Sequence, residues 1–175
     1  MRRYLYLLLP LFACVIILGC QSKAIQMLIE PQESVNLALE KGVTCSASEM
    51  IDGNLKTLGY ADGRWIHLRL PKKKAIHRIV IRGTNITDAI VFQRLDHTER
   101  SQAVGQVQNN RSSVIGLRTT VVTDALHIYV GGTSEDKRKT AEYSPRYGII
   151  VPEKELGKPF AYEVELYGFV SKDKR

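Results

Sequence analysis

From Val35 onward, apolar and polar side chains alternate with a period of two, and few folds accommodate that pattern. Ile66, Leu68 and Leu70 alternate with Trp65, His67 and Arg69, and Leu126, Ile128 and Val130 with Ala125, His127 and Tyr129. Tyr162, Val164 and Leu166 alternate with Ala161, Glu163 and Glu165, while Ile79 and Ile81 share one face of a run whose other face carries Arg78, Val80 and Arg82. A two-residue period is that of a strand with one buried face. Shorter β-like runs cover 89–92, 113–117 and 119–123. Turn residues punctuate them at Asp52-Gly53-Asn54, Ala61-Asp62-Gly63, Pro71, Gly83-Thr84-Asn85, Gly131-Gly132 and Gly157-Lys158-Pro159. No stretch shows a long helix-period stripe, and strands do not alternate with helices, which argues against an α/β fold. The expectation is all-β: an antiparallel sandwich or barrel.

The first twenty residues follow another logic. Arg2 and Arg3 precede an almost wholly apolar run, Tyr4 to Leu18, that ends in Ile17-Leu18-Gly19-Cys20. About fifteen apolar residues broken by Pro10 are short for a membrane span, which needs about 20. A small residue directly before a cysteine resembles the lipobox of bacterial lipoproteins. That resemblance implies a signal peptide over 1–19, cleavage before Cys20 and acylation of Cys20; a plain signal peptide or an N-terminal anchor helix is the alternative. Several acyl chains anchor durably because each buried CH₂ contributes about 0.8 kcal/mol. Residues 20–34 then read as a lipidated N-terminus and tether. The absence of Asp after the cysteine resembles outer-membrane sorting, so the expected location is the bacterial cell envelope, at the outer membrane, facing periplasm or surface.

The 175 residues suit one domain with additions, and 44% hydrophobic with 25% charged is a globular balance. Three cysteines exclude a disulfide-dense scaffold, and loss of the leader would leave Cys45 without an internal partner, so a buried, inert thiol is expected there. The net charge of +7 falls by two when Arg2 and Arg3 leave with the leader. The basic excess is spread along the chain without interleaved aromatics, so anionic envelope polymers fit it better than nucleic acid. Lys72-Lys73-Lys74 after Pro71 reads as a solvated hairpin tip.

One resemblance spans most of the remaining chain. Val35-Asn36-Leu37-Ala38-Leu39, Val43 to Ser48, Ile51-Asp52-Gly53-Asn54 with Thr57, Trp65 to Leu70, Ile76 to Gly83 and Ala161 to Gly168 follow one another in order. This succession resembles a discoidin domain, also called coagulation factor 5/8 type C, of the galactose-binding-like jelly rolls that include family 32 carbohydrate-binding modules. It implies a jelly-roll β-sandwich over 35–169 followed by a basic tail at 170–175. Residues 85–123 match the pattern poorly. The resemblance further implies one structural calcium, held by carbonyls of Glu49, Asn54, Thr57 and Tyr162, the Thr57 hydroxyl and carboxylates of Asp52 and Glu163. Calcium takes 6–8 hard oxygens. The same Asp-Gly-Asn sequence also makes an ordinary turn, and Glu165 shares the face of Glu163 and could replace it. The resemblance places Trp65 on a sandwich strand, where tryptophan is expected to pack in the core.

For function, the sequence lacks GxSxG, Walker-type, GxGxxG and CxxC motifs, and its four histidines stand singly. A non-catalytic binding module recognising a glycan is the leading expectation, with a structural lipoprotein subunit that binds an envelope protein as the alternative. A sugar site needs an aromatic face and a few fixed donors and acceptors. On loops, the candidates are Tyr60, Arg94, His97, Asn109, Arg111, Tyr143, Arg146 and Tyr147. The last three lie in a long charged connection, Gly132 to Lys158, which could instead carry a protein contact.

Overall fold

The computed structural model describes residues 32–94, 101–138, 142–144, 149–151 and 154–171. The leader, Cys20, most of the tether, His97, Arg146, Tyr147 and the end of the basic tail lie outside them. One unit spans Ser34–Phe169. A second unit gathers residues 1–33 and 170–175, of which only strand ends are described.

The described chain is almost entirely β. Its strands are β1 (Gln32–Asn36), β2 (Thr44–Cys45), β3 (Gly59–Tyr60), β4 (Trp65–Arg82), β5 (Ile86–Arg94), β6 (Ser101–Val107), β7 (Val114–Thr133), β8 (Lys137–Arg138), β9 (Glu142–Ser144), β10 (Ile149–Val151), β11 (Lys154–Glu155), β12 (Phe160–Ala161) and β13 (Glu163–Ser171). Two short 3-10 turns, Leu37–Leu39 and Ser48–Ile51, are the only helical elements among the described residues. None is long and apolar enough to cross a membrane.

Two long strands organise the fold. β4 and β7 pair antiparallel along their length, and the main sheet runs β1-β13-β4-β7-β5-β6 with β2 added at β4. Midway, Leu70 through Lys73 stand against Asp124 alone, because Arg69 pairs with Ala125 and Lys74 with Thr123. Such a bulge bends a strand pair and increases its twist. The halves on either side recruit different partners. Trp65–Arg69 takes β2, and the facing end of β7 takes β5 and then β6. Beyond the bulge, Arg78–Arg82 takes β13. These are the two layers of a sandwich that share their longest strands.

The core lies where the apolar faces meet. Ile66, Leu68, Val91, Leu126 and Ile128 come from the first layer, and Ile79, Ile81, Ile115, Val164 and Leu166 from the second; all are nearly excluded from solvent. The buried parity of β4 changes between Ile76 and Ile79, at a second register shift, so both halves keep their apolar side inward. The alternation read from the sequence is therefore the core pattern.

The sequence reading fails at connections. Pro71 and Lys72-Lys73-Lys74 are not a hairpin tip: the strand runs through them, and Lys74 Nζ lies 2.8 Å from a Glu40 carboxylate oxygen. A bulge tolerates proline because the missing N–H interrupts no ladder bond. The runs at 113–117, 119–123 and 125–130 join into β7, whose end includes Gly131-Gly132. Likewise, β1 begins within the stretch read as tether. The connection between Gly132 and Lys158 holds two short antiparallel pairs, β8 with β11 and β9 with β10.

Candidate functional site

The alternation that buries Ile66 and Leu68 turns Trp65, His67 and Arg69 outward. Register then sets Trp65 opposite Tyr129 and His67 opposite His127, while Phe92 of β5 faces His127 from the other side. Directly opposed side chains on neighbouring strands lie close enough to touch. The ring centroids of Trp65 and Tyr129 are 4.9 Å apart, those of Trp65 and Phe92 6.1 Å, and His67 stacks on Trp65 at 5.9 Å with planes 9° apart. Trp65 keeps 38% of its surface exposed and Tyr129 37%. This corrects the expectation of a core tryptophan: the indole belongs to the outer row of β4, and its packing partners are other surface rings. With Ser101, the rings of Trp65, His67, Phe92 and His127 line an open hollow of about 250 Å³.

The two histidines meet although their sequence positions are 60 apart. Their Nδ1 atoms are 2.6 Å apart, so one ring donates and the other accepts, and at least one imidazole is neutral while they touch. Burial holds His127 below the usual imidazole range, helped by the charges of His67, Arg94 and Arg69. Sequence spacing gives no sign of this pair; the strand register creates it.

A second arrangement lies at the loop after the Ser48–Ile51 turn. Asp52 accepts the Asn54 N–H at 2.7 Å and the Thr57 hydroxyl at 2.5 Å, while the Asn54 carbonyl accepts the Thr57 N–H at 3.1 Å. Gly53, at φ +75°, adopts a conformation that suits glycine and turns its N–H to a Glu163 oxygen at 3.1 Å. The first loop and the last strand are thus fastened across 110 residues. Glu163 is 2% exposed, and its other oxygen, Oε1, is buried without a hydrogen-bond partner. Burial pushes its pKa up to about 7; the Gly53 amide opposes that rise, and the charges of Asp52 and Glu165 add to it. Glu165 is engaged elsewhere, 2.7 Å from Arg82 Nε. The loop, Asp52 and an orphaned carboxylate oxygen form a donor set that suits a hard cation.

The other members of that set have separate contacts. The Tyr162 N–H donates to the Arg82 carbonyl at 3.0 Å, and its ring packs so closely on Gly83 that a Cβ there would collide with Cδ2. The Glu49 carboxylate accepts from Ser48 Oγ at 3.4 Å. Among the described residues no three His, Cys, Asp or Glu side chains cluster as a metal site, so backbone carbonyls would have to complete any coordination here.

The loop candidates fall on different elements. Tyr60 is exposed, with Lys158 Nζ 4.2 Å from its ring centroid and Phe160 edge-on at 6.3 Å. Arg94 ends β5 on the side of His127. Asn109, at φ 52°, donates its N–H to Asp88 at 3.1 Å. Arg111 lines a polar hollow of about 220 Å³ with Thr84, Asn85, Asn110 and several serines. Tyr143 pairs in register with Ile150. Cys45 is free and half-buried, and burial pushes its thiol up, away from nucleophilic use.

No protein-family profile matches the sequence, and comparison with curated proteins finds no relative. Solved structures do match. A point mutant of chitosan-binding module 1, from a chitosanase/glucanase of Paenibacillus sp. IK-5, superposes with a TM-score of 0.55 at 16% identity, covering 78% of this chain and 100% of the module. A family 32 module from Clostridium perfringens gives 0.54 at 15% identity, covering 77% and 99%. The family 32 carbohydrate-binding module of EndoD from Streptococcus pneumoniae gives 0.52 at 12% identity over the same shares. The chain has the antiparallel β-sandwich fold of these modules.

Proposed function

We propose that the chain is a non-catalytic glycan-binding module, held at the bacterial envelope by lipid on Cys20, with the Trp65 face as its binding surface. The observation that carries this reading is the outward ring group of Trp65 and Tyr129, both partly exposed, with the half-buried Phe92 beside them. A sugar presents C–H surface that packs on aromatic faces and hydroxyls that need fixed polar groups, which His67, His127 and Ser101 supply around the hollow. The related folds support it: module 2 of the same Paenibacillus enzyme was solved with chitotriose. The lipobox-like sequence before Cys20 and the uncharged Gln21 after it support an outer-membrane anchor.

Calcium belongs to this proposal as a structural ion. Asp52 and Glu163 would hold it with carbonyls of the 52–57 loop, and the ion would supply positive charge to the Glu163 carboxylate, which burial otherwise disfavours. Its role is to stiffen the junction of the first loop with β13.

The test is a glycan array probed with the full chain and with Trp65→Ala. Binding to a glycan class that drops about tenfold or more in the variant, about 1.4 kcal/mol, supports the reading. Equal binding by both proteins, with the variant folded by circular dichroism, would overturn the assignment of the face.

A further inference from the structure

We infer that the Trp65 face takes an acidic saccharide, with a sugar ring against Trp65 and Tyr129 and the sugar's anionic group at His67, His127, Arg69 and Arg94. This rests on the glycan reading above and narrows it to a ligand class. Three cations elsewhere on the sandwich are paired with carboxylates: Arg64 with Asp136, Lys74 with Glu40 and Arg82 with Glu165. Arg69 and Arg94 have no hydrogen-bond or ion-pair partner among the described residues, yet both guanidiniums lie close enough to act on His127. Arg69 sits opposite the small Ala125, which leaves room above the sheet between them.

The outward rows Trp65–Arg69, Ala125–Tyr129 and Ile90–Arg94 contain no carboxylate. Among the described residues, the nearest acids along these strands lie past their ends. Asp62 is across a turn from Trp65, Asp124 is at the bulge, and Asp88 is occupied by the Asn109 N–H and the Thr87 hydroxyl. Two guanidiniums and two imidazoles beside exposed rings are therefore complementary to a sugar that carries carboxylate or sulfate. Guanidinium matches such groups with paired hydrogen bonds.

The touching histidines add a proton linkage. Without an anion, a proton on His127 meets burial and the neighbouring His67, Arg94 and Arg69, and Tyr129 offers no compensating charge. An anion seated there favours that proton, so binding and proton uptake reinforce each other and affinity rises as pH falls, by up to about tenfold per pH unit for one proton taken up.

The experiment measures retention of the full chain, in detergent, by polygalacturonate, dextran sulfate, neutral dextran and chitosan at about pH 5.5 and pH 7.5, where imidazoles titrate. Retention by either acidic polymer, stronger at the lower pH and absent with dextran and chitosan, is the expected result; the acid that is retained identifies carboxylate or sulfate. Arg69→Gln and Arg94→Gln should each weaken it several-fold, His127→Gln should flatten the pH dependence, and Lys72→Gln, an exposed cation elsewhere, should leave it unchanged. Trp65-dependent retention by dextran or chitosan, indifferent to Arg69→Gln, would overturn the acidic assignment while the glycan reading stands. Weakening by Lys72→Gln equal to that by Arg69→Gln would also overturn it, as diffuse attraction to a basic chain. Retention by no polymer at either pH would remove both readings.

Discussion

Glu163 is a carboxylate in a place that penalises its charge. One oxygen accepts the Gly53 amide, and the other is buried without a partner. Its pKa in the folded protein, pushed up to about 7, lies above its ordinary 4.5. In the absence of metal, its contribution to stability is therefore fully present below about pH 4.5 and is lost as pH rises through 7. The melting temperature in chelator should fall between pH 5 and 8. Calcium should raise it most at the alkaline end, where the carboxylate is ionised, because a ligand bound only by the folded state stabilises it. Glu163→Gln should remove both the pH slope and the calcium response. Thermal melts across pH, with chelator or with calcium, decide this; a calcium response that survives in the variant would show that the ion binds elsewhere.

Among the elements, the end of β7 is tied down by one side chain. Asp136 accepts from the Thr133 hydroxyl at 2.7 Å, the Gly157 N–H at 2.8 Å, the Thr133 N–H at 3.2 Å and Arg64 at 3.0 Å. Burial works to raise its pKa, but these bonds more than offset it and hold the carboxyl below the ordinary range. Its contribution is present at neutral pH and is lost as pH falls through that lowered value. Asp136→Ala should cost about 2–3 kcal/mol in urea unfolding at pH 7, as expected for hydrogen bonds to a charged group. That difference should shrink towards zero in strong acid. The elements also show which parts of the fold can be read from sequence. The inward residues of β4, β7 and β13 are legible because one buried face imposes a period of two. The passage of β4 through Pro71 is not, because a proline that ends a strand and one that sits in a bulge look alike until the partner strand is known. Trp65 is the instructive case. Alternation alone sets it beside His67 and Arg69, opposite Ile66, and only the analogy with sandwich cores sent it inward. The His67–His127 pair is illegible for a different reason: register, not spacing, brings the two rings together.

For the whole molecule, the proposal joins a basic, ring-bearing sandwich to a lipid at the far end of a short tether. If Cys20 is the attachment point, Cys20→Ala should abolish incorporation of labelled palmitate and move the protein from the membrane to the soluble fraction of a bacterial lysate. An unchanged distribution would mean that the apolar leader itself holds the chain. Order of synthesis adds a consequence of the contact between Gly53 and Glu163, and of the Leu166 N–H donated to Asn36 at 3.0 Å. Both join the opening of the sandwich to its final strand. A chain emerging from its N-terminal end therefore carries an unfinished edge until β13 arrives, and closes both junctions in a late step whose speed is limited by the distance between partners along the chain.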